Sequence, residues 1–320
     1  MTLERRTLGR TGLNASVMGL GSGGPSQLGQ KRGATVESVR RLLDTAFEHG
    51  IDFIDTAPGY GSSEVLLGQA LHGIPRERYV LSTKFNPFDA EKRLRPASDL
   101  RRSLEQSLAR LGTDHVEVFY LHAVPAGTLD EVMDVFGDPL RDAVESGQAR
   151  FTGVTEEYVD DHSHRTIRDA LTDHDFDVIM VGYNLLSPSA GEVVLPLAAE
   201  RNVGVVVMCA VRGVIADPDK LVAVIRNWKA QGLLEPDDLP DRGPLDWLLD
   251  DAPTITAAAY RFAAAPASVG CVLTGTASPE HLVENIASIT GPPLGAQSLQ
   301  RLSQVFGKVG RNVSPRDAGS

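Results

Sequence analysis

Short apolar runs rich in β-branched residues alternate along this chain with longer segments whose apolar positions recur at helical spacing. The short runs are VMGLG (17–21), IDFID (51–55), YVLSTK (79–84), VEVFYLH (116–122), RFTGVT (150–155), DVIMVGYN (177–184), VGVVVM (203–208) and VGCVLTG (269–275). Their apolar residues are nearly continuous rather than alternating, the pattern of strands covered on both faces, as in parallel sheets. Between them, Val36, Val39, Leu42, Leu43, Ala46 and Phe47 share one helical stripe closed by Gly50. Leu100, Leu104, Leu108 and Leu111 share another. TLDE (128–131) has capping-box spacing ahead of Val132, Met133, Val135 and Phe136, in a run ended by Gly147. Ser278 and Pro279 supply an N-cap and a first helical position for a helix over 278–286.

Eight strand-then-helix units predict an α/β fold, a closed (β/α)8 TIM barrel forming a single domain over residues 1–312, with a disordered tail over 313–320. Residues 211–253 exceed one connection and predict an added helix, KLVAVIRNWKAQG, plus a loop carrying Trp247. This segment, with Arg212, Trp228 and Trp247, is expected to shape a substrate pocket, the alternative being that both tryptophans are core anchors.

Composition narrows the function classes. Of 320 residues, 42% are hydrophobic and 23% charged, enough apolar side chains for a sizeable core. The formal charge of −11 argues against a general nucleic-acid or acidic-membrane surface, which needs a basic patch, but leaves room for a local phosphate pocket. The opening MTLERRTLGR lacks the apolar core of a signal peptide and no segment has the length of a membrane span, so a cytoplasmic protein is expected. Cys209 and Cys271 lie in apolar runs and read as buried, reduced thiols. His162 and His164, in the polar stretch DHSHR with no third ligand nearby, read as a solvated helix start and not as a metal site.

Parallel barrels collect reactive groups at the C-terminal ends of their strands. Here the second strand ends in Asp55, the third in Lys84 and the fourth in His122, with Tyr60 on the loop after the second. Neighbouring strands lie roughly 4.8 Å apart, so these groups come within reach of one another. Singly, Asp55 fits a turn cap, Lys84 a solvated side chain, His122 a core histidine and Tyr60 an exposed ring. Jointly they favour a shared rim, because burying such groups without partners is costly. A phenol of pKa about 10 donates poorly at neutral pH. An ammonium roughly 4 Å away contributes about 4 kcal/mol at an effective dielectric of about 20, which predicts a phenol pKa lowered by roughly three. Asp55 would hold Lys84 charged, and His122 would orient a carbonyl oxygen. A strand-end lysine also permits Schiff-base chemistry, which makes a barrel lyase or aldolase built on Lys84 the alternative.

FIDTAPGYGSSEVLLGQAL, LSTKF and VFYLHAV, in this order and spacing, resemble the aldo-keto reductases. The likeness runs from RTLGRTGLNASVMGLGSGG near the start to VLTGTASPEHLVENIASI near the end. It implies an oxidoreductase using NADP(H) or NAD(H) on a small-molecule aldehyde or ketone, or in reverse on an alcohol or sugar lactol, with no nucleic-acid or membrane partner. The resemblance makes Tyr60 the general acid/base, Lys84 and Asp55 the pair that tunes it, and His122 the carbonyl-orienting group. Implied cofactor contacts fall on Gly21, Ser22 and Asp55 at the mouth, and on Thr155, Asn184, Met208 and Arg212 after the later strands. Around the last strand and its helix they fall on Gly275, Thr276, Ser278, His281, Glu284 and Asn285, where a capped helix N-terminus suits phosphate.

The sequence departs from the family pattern at the cofactor. Gly275, Ala277 and His281 stand where relatives often carry Lys or Arg for a ribose 2′-phosphate. Thr155-Glu156 replaces the usual Ser-Asn, Met180 the usual Gln, and Val207 or Met208 the aromatic that stacks under nicotinamide, with Asn184 expected to compensate. Arg212 fits either an anion ligand, for pyrophosphate or substrate, or an exposed loop arginine. These departures keep a cofactor-sensing, non-catalytic subunit as a further reading. GLGSGG (19–24) satisfies G-x-G-x-x-G, but PSQLGQKRG follows where a dinucleotide fold needs a helix, so it reads as a barrel-mouth loop.

Overall fold

The computed structural model describes residues 3–314 and Asp317. β1 (Arg5–Thr7) and β2 (Asn14–Ser16) form an antiparallel hairpin ahead of the main sheet. Then β3 (Met18–Gly21), β4 (Phe53–Asp55), β5 (Val80–Phe85), β6 (Val116–Val124), β7 (Ala149–Glu156), β8 (Val178–Gly182), β9 (Gly204–Met208) and β10 (Val269–Thr274) pair in parallel in that order. β10 closes onto β3, making the expected (β/α)8 barrel. The helices that cover it include α1 (Val36–Glu48), α2 (Ser63–Leu71), α3 (Ser98–Leu111), α4 (Leu129–Glu145) and α5 (Arg165–Asp173). Two short helices, α6 (Ala190–Val193) and α7 (Leu195–Glu200), follow β8, and α8 (Arg212–Ile215), α9 (Pro218–Ala230) and α10 (Ile255–Ala264) follow β9. α11 (Pro279–Ile289) and α12 (Ala296–Phe306) complete the fold. Among the described residues no helix is long and apolar enough to cross a membrane.

The continuous apolar runs are explained by two cores. Outward-facing strand residues such as Leu20, Ile54, Leu81, Phe119, Ile179 and Val205 pack under the helices. Inward-facing Phe53, Val118, Tyr120, Val178, Met180, Val206 and Cys271 fill the barrel, joined from below by Leu8, Leu13 and Ala15 of the hairpin region. The hairpin escaped the periodicity because its strands are three residues long and largely polar. It plugs the end where the strands begin, with Leu8 against Gly204 and Gly270. Interior packing is tight at Gly153, where a Cβ would lie 2.4 Å from Cδ1 of the Tyr120 ring.

Three expectations are corrected. β8 ends at Gly182, and Tyr183 and Asn184 leave the sheet for a turn bridged to Ser187. In the long segment after β9, Trp228 is fully buried with its ring centroid 6.5 Å from that of Phe306. Arg301 lies 4.6 Å over the ring of Trp247. Both tryptophans therefore anchor α12 rather than line the mouth. Val313 and Ser314, assigned by composition to a disordered tail, are buried, and Val313 N–H donates to Ser187 Oγ at 2.8 Å. Of the remaining tail only Asp317 is among the described residues, and its carbonyl accepts from Asn227 Nδ2 at 3.1 Å. Cys209 and Cys271 are free thiols, the first half-buried and the second buried.

Gly153→Ala should drive the Tyr120 ring out of place beneath the site and destabilise the protein by about 1–3 kcal/mol, the range for overpacking a filled core. A urea-unfolding midpoint equal to that of the parent would refute this account of the interior.

Candidate active site

Asp55 closes β4, Lys84 is the penultimate residue of β5, and His122 lies near the end of β6, so parallel pairing sets them side by side at one rim. Lys84 is fully buried, and its Nζ donates to both Asp55 carboxylate oxygens at 2.6 Å and to the Thr56 carbonyl at 2.8 Å. Ser82 Oγ donates to Asp55 Oδ1 at 2.7 Å, fixing the carboxylate from the other side. The ammonium sits 4.9 Å from the centroid of the Tyr60 ring. The Tyr60 hydroxyl is 3.4 Å from His122 Nε2, with the two rings nearly perpendicular at 85°. Gln30, on the loop after β3, donates to the Tyr60 carbonyl at 3.0 Å and to Ser63 Oγ at 2.8 Å, tying the Tyr60 loop to the start of α2. The three strand-end residues Asp55, Lys84 and His122 thus meet around the Tyr60 phenol.

The electrostatics differ from the simple expectation for Tyr60. Burial pushes the phenol's pKa up; the Lys84 charge pulls it down, the Asp55 charge pushes it up again, and the net shift is upward. The reason is geometric: Lys84 is no free cation but is bridged by both Asp55 oxygens, so much of its field at the phenol is cancelled. Burial alone would lower the Lys84 pKa, but Asp55 and Tyr60 outweigh it and the amine is held protonated. Burial, with the Lys84 charge, lowers His122 to about 3, so its imidazole is neutral at ordinary pH.

The residues expected to contact the cofactor phosphates lie around β10 and α11. Gly275 is open, and a Cβ there would meet Ser26 Oγ at 3.3 Å. Ser22 Oγ, Ser26 Oγ and Thr56 Oγ1 are buried without a hydrogen-bond partner, and Gly21 pairs with Asp55 beside them. Thr276 Oγ1 accepts from Ser278 N–H at 3.1 Å, and Ser278 Oγ caps α11 by accepting from His281 N–H at 3.2 Å. His281 and Glu284 are exposed. Asn285, expected to face adenine, turns inward and donates to Thr274 Oγ1 at 2.9 Å. An open cleft of about 620 Å³ runs between α1 and α11, lined by Arg41, Asp44, Glu48 and Ser278 among others. Arg41 carried no signal in the sequence, because its approach to α11 depends on closure of the barrel.

Where the resemblance places the nicotinamide, the sequence departures have structural partners. Thr155 Oγ1 accepts from the Ala123 N–H at 2.7 Å, at an irregularity in the β6–β7 pairing just past His122, which leaves its own O–H free to donate. Met180 fills the barrel interior, and Met208 rather than Val207 faces inward. Asn184 does not compensate: it is fully buried, its Nδ2 donates to Tyr158 OH at 2.8 Å, and its Oδ1 accepts from Leu186 N–H at 3.0 Å. Tyr158 went unnoticed in the sequence. Its ring packs on Gly182, where a Cβ would come within 1.8 Å, and Arg212 lies 5.5 Å over it. The Arg212 side chain donates from Nη1 to Cys209 Sγ at 3.5 Å. His164, expected to be solvated, is fully buried against Glu156.

Comparison with known proteins identifies the family and the fold. A family model described as the Aldo/keto reductase family matches residues 18–227. An L-galactose dehydrogenase of Arabidopsis thaliana is 28% identical over 95% of this chain and 93% of its own length. An aldo-keto reductase from Bacillus halodurans in its holo form superposes with a TM-score of 0.70 at 24% identity, covering 94% of this chain and 96% of its own. An aldo/keto reductase from Klebsiella pneumoniae, solved in complex with NADP and acetate, gives 0.65 at 22% identity, with 95% of each chain covered. The chain belongs to the aldo/keto reductase family of NAD(P)H-dependent oxidoreductases.

Proposed function

We propose that this protein interconverts a carbonyl compound and its alcohol, or a sugar lactol and its lactone, with Tyr60 as the general acid/base. The observation that carries the reading is the Tyr60 hydroxyl 3.4 Å from a neutral His122 Nε2, beside the buried Lys84–Asp55 pair. The unpartnered hydroxyls of Ser22, Ser26 and Thr56, and the open position at Gly275, suit the polar length of a dinucleotide. When bound, the nicotinamide supplies or accepts the hydride. The chain's own residues handle the proton. A phenol raised by burial stays protonated through neutral pH, which suits a donor to an oxygen that gains charge as a carbonyl is reduced. Lys84 stabilises the phenolate left behind, Asp55 keeps Lys84 charged, and His122 offers a neutral hydrogen-bonding edge to the same oxygen. Thr155 O–H supports the carboxamide end, and Arg212 an anionic group of cofactor or substrate. The L-galactose dehydrogenase relative favours a sugar lactol over a simple aldehyde.

The Schiff-base alternative lacks its nucleophile. Such chemistry needs a neutral amine, whereas Lys84 donates to three acceptors and is held protonated. A cofactor-sensing role would be favoured by tight NADPH or NADH binding with no turnover across carbonyls, alcohols and sugars.

Tyr60→Phe should lower kcat by about 10²- to 10⁴-fold, the usual contribution of a positioned acid/base. Its dissociation constants for NADPH and NADH, read by fluorescence titration, should stay near those of the parent; unchanged kcat would remove Tyr60 from the reaction. Carbonyl reduction should hold level through neutral pH and fall in alkali as the phenol ionises, with the oxidative direction rising over the same range. A reduction rate that falls below pH about 6.5 as a single imidazole titrates would contradict this assignment. NMR of ring-labelled histidine should show His122 unprotonated at pH 5, because its folded value of about 3 lies below the ordinary 6.5. By linkage, the stability it contributes is complete above the unfolded value and is lost as pH falls through the folded one.

A further inference from the structure

Outside the Tyr60 site, one chain of reactive groups leads from the buried interior to the surface. Glu156 ends β7 and His164 precedes α5, and neither side chain has any exposure. His164 Nδ1 lies 2.8 Å from Glu156 Oε2, and its Nε2 lies 2.8 Å from Ser189 Oγ. Ser189, at the start of α6, is only half-buried, so the chain ends on a residue that meets solvent. The Gly182 N–H donates to Glu156 Oε1 at 2.9 Å. With Glu156 ionised, its Oε2 accepts from an Nδ1–H, and in that tautomer the Nε2 lone pair faces Ser189. Asp161 caps the following helix through the N–H groups of Arg165 at 2.8 Å and Thr166 at 2.9 Å, so His164 is not needed as the cap. Its backbone is held at φ +53°, a left-handed conformation that is strained for histidine and directs the ring inward.

We propose that Ser189, His164 and Glu156 form a second site, a serine nucleophile that hydrolyses small carboxylic esters. Ser189 Oγ attacks the acyl carbon while its proton passes to His164 Nε2. The ester C–O bond breaks and the leaving alcohol takes that proton, and water then releases the acid from Ser189 by the same route. Glu156 stabilises the imidazolium that forms between these steps. Burial raises the Glu156 pKa, against the lowering effects of His164 and of the Gly182 N–H.

The test uses the full chain with p-nitrophenyl acetate and a fluorophosphonate probe, neither of which involves the nicotinamide, so its failure is distinguishable from failure of the carbonyl reading. Peptide mapping should place the acyl or phosphonyl adduct on Ser189. S189A should lose the adduct and at least about 10²-fold of the esterase rate while keeping the parent's melting midpoint and carbonyl turnover. H164Q should lose the rate by about 10²- to 10⁴-fold. An adduct confined to other residues, or an S189A esterase rate equal to the parent's, overturns the proposal.

Discussion

Lys84 and Asp55 meet at the top of the barrel interior, the ammonium with no exposure and the carboxylate with almost none. Moving such charges out of water costs several kcal/mol per ion, and their attraction offsets this only when the remaining hydrogen-bonding positions are filled. Here they are: Thr56 O and both Asp55 oxygens take the ammonium protons, and Ser82 braces the carboxylate. Such a pair cannot be loosened without stranding a charge, so the strand ends that carry it are fixed relative to one another. Tyr60 and His122 inherit that rigidity, one through a loop tied by Gln30 and the other through its own strand.

Burial keeps the phenol from being acidic, and the same pair limits how far Lys84 offsets that burial. A lysine reckoned alone, as an isolated cation at contact distance, promises a large downward shift. A lysine bridged by a carboxylate is closer to a dipole, and burial of the phenol prevails. The consequence favours proton donation. In the proposed reaction Tyr60 stays protonated until a neighbouring oxygen acquires negative charge, and only then would the Lys84 side of the dipole stabilise what the phenol becomes.

How much of this was legible in the sequence follows from range. Asp55, Lys84 and His122 were visible because each ends an apolar run, and parallel pairing converts that one-dimensional regularity into proximity. The eight barrel strands were visible for the same reason. The hairpin Arg5–Ser16 was not, since three-residue polar strands leave no periodicity to read. Nor were Tyr158 and Arg41, whose positions depend on contacts with residues far along the chain: Gly182 in the one case, and the cleft beside Ser278 in the other. His164 was misread because DHSHR is polar in composition, while the turn it forms points one histidine out and the next one in.

Glu156 shows why the departures at the nicotinamide side should be read together rather than one by one. Along β7 the alternation of side chains puts Thr155 inside the barrel and sends Glu156 toward the helices, where its oxygens find the Gly182 N–H and His164. A carboxylate buried there without partners would be unstable, so a glutamate at this position requires a histidine brought in by the next loop, and the left-handed backbone at His164 is the conformation that delivers it. That loop also carries Tyr158, whose ring occupies the space left by the missing side chain of Gly182 and whose hydroxyl engages Asn184. Glu156, His164, Gly182, Tyr158 and Asn184 form one connected set of contacts over β7 and β8. Thr155 remains the inward-facing hydroxyl at the end of β7, and the polar contacts of Glu156 run outward through His164 toward Ser189.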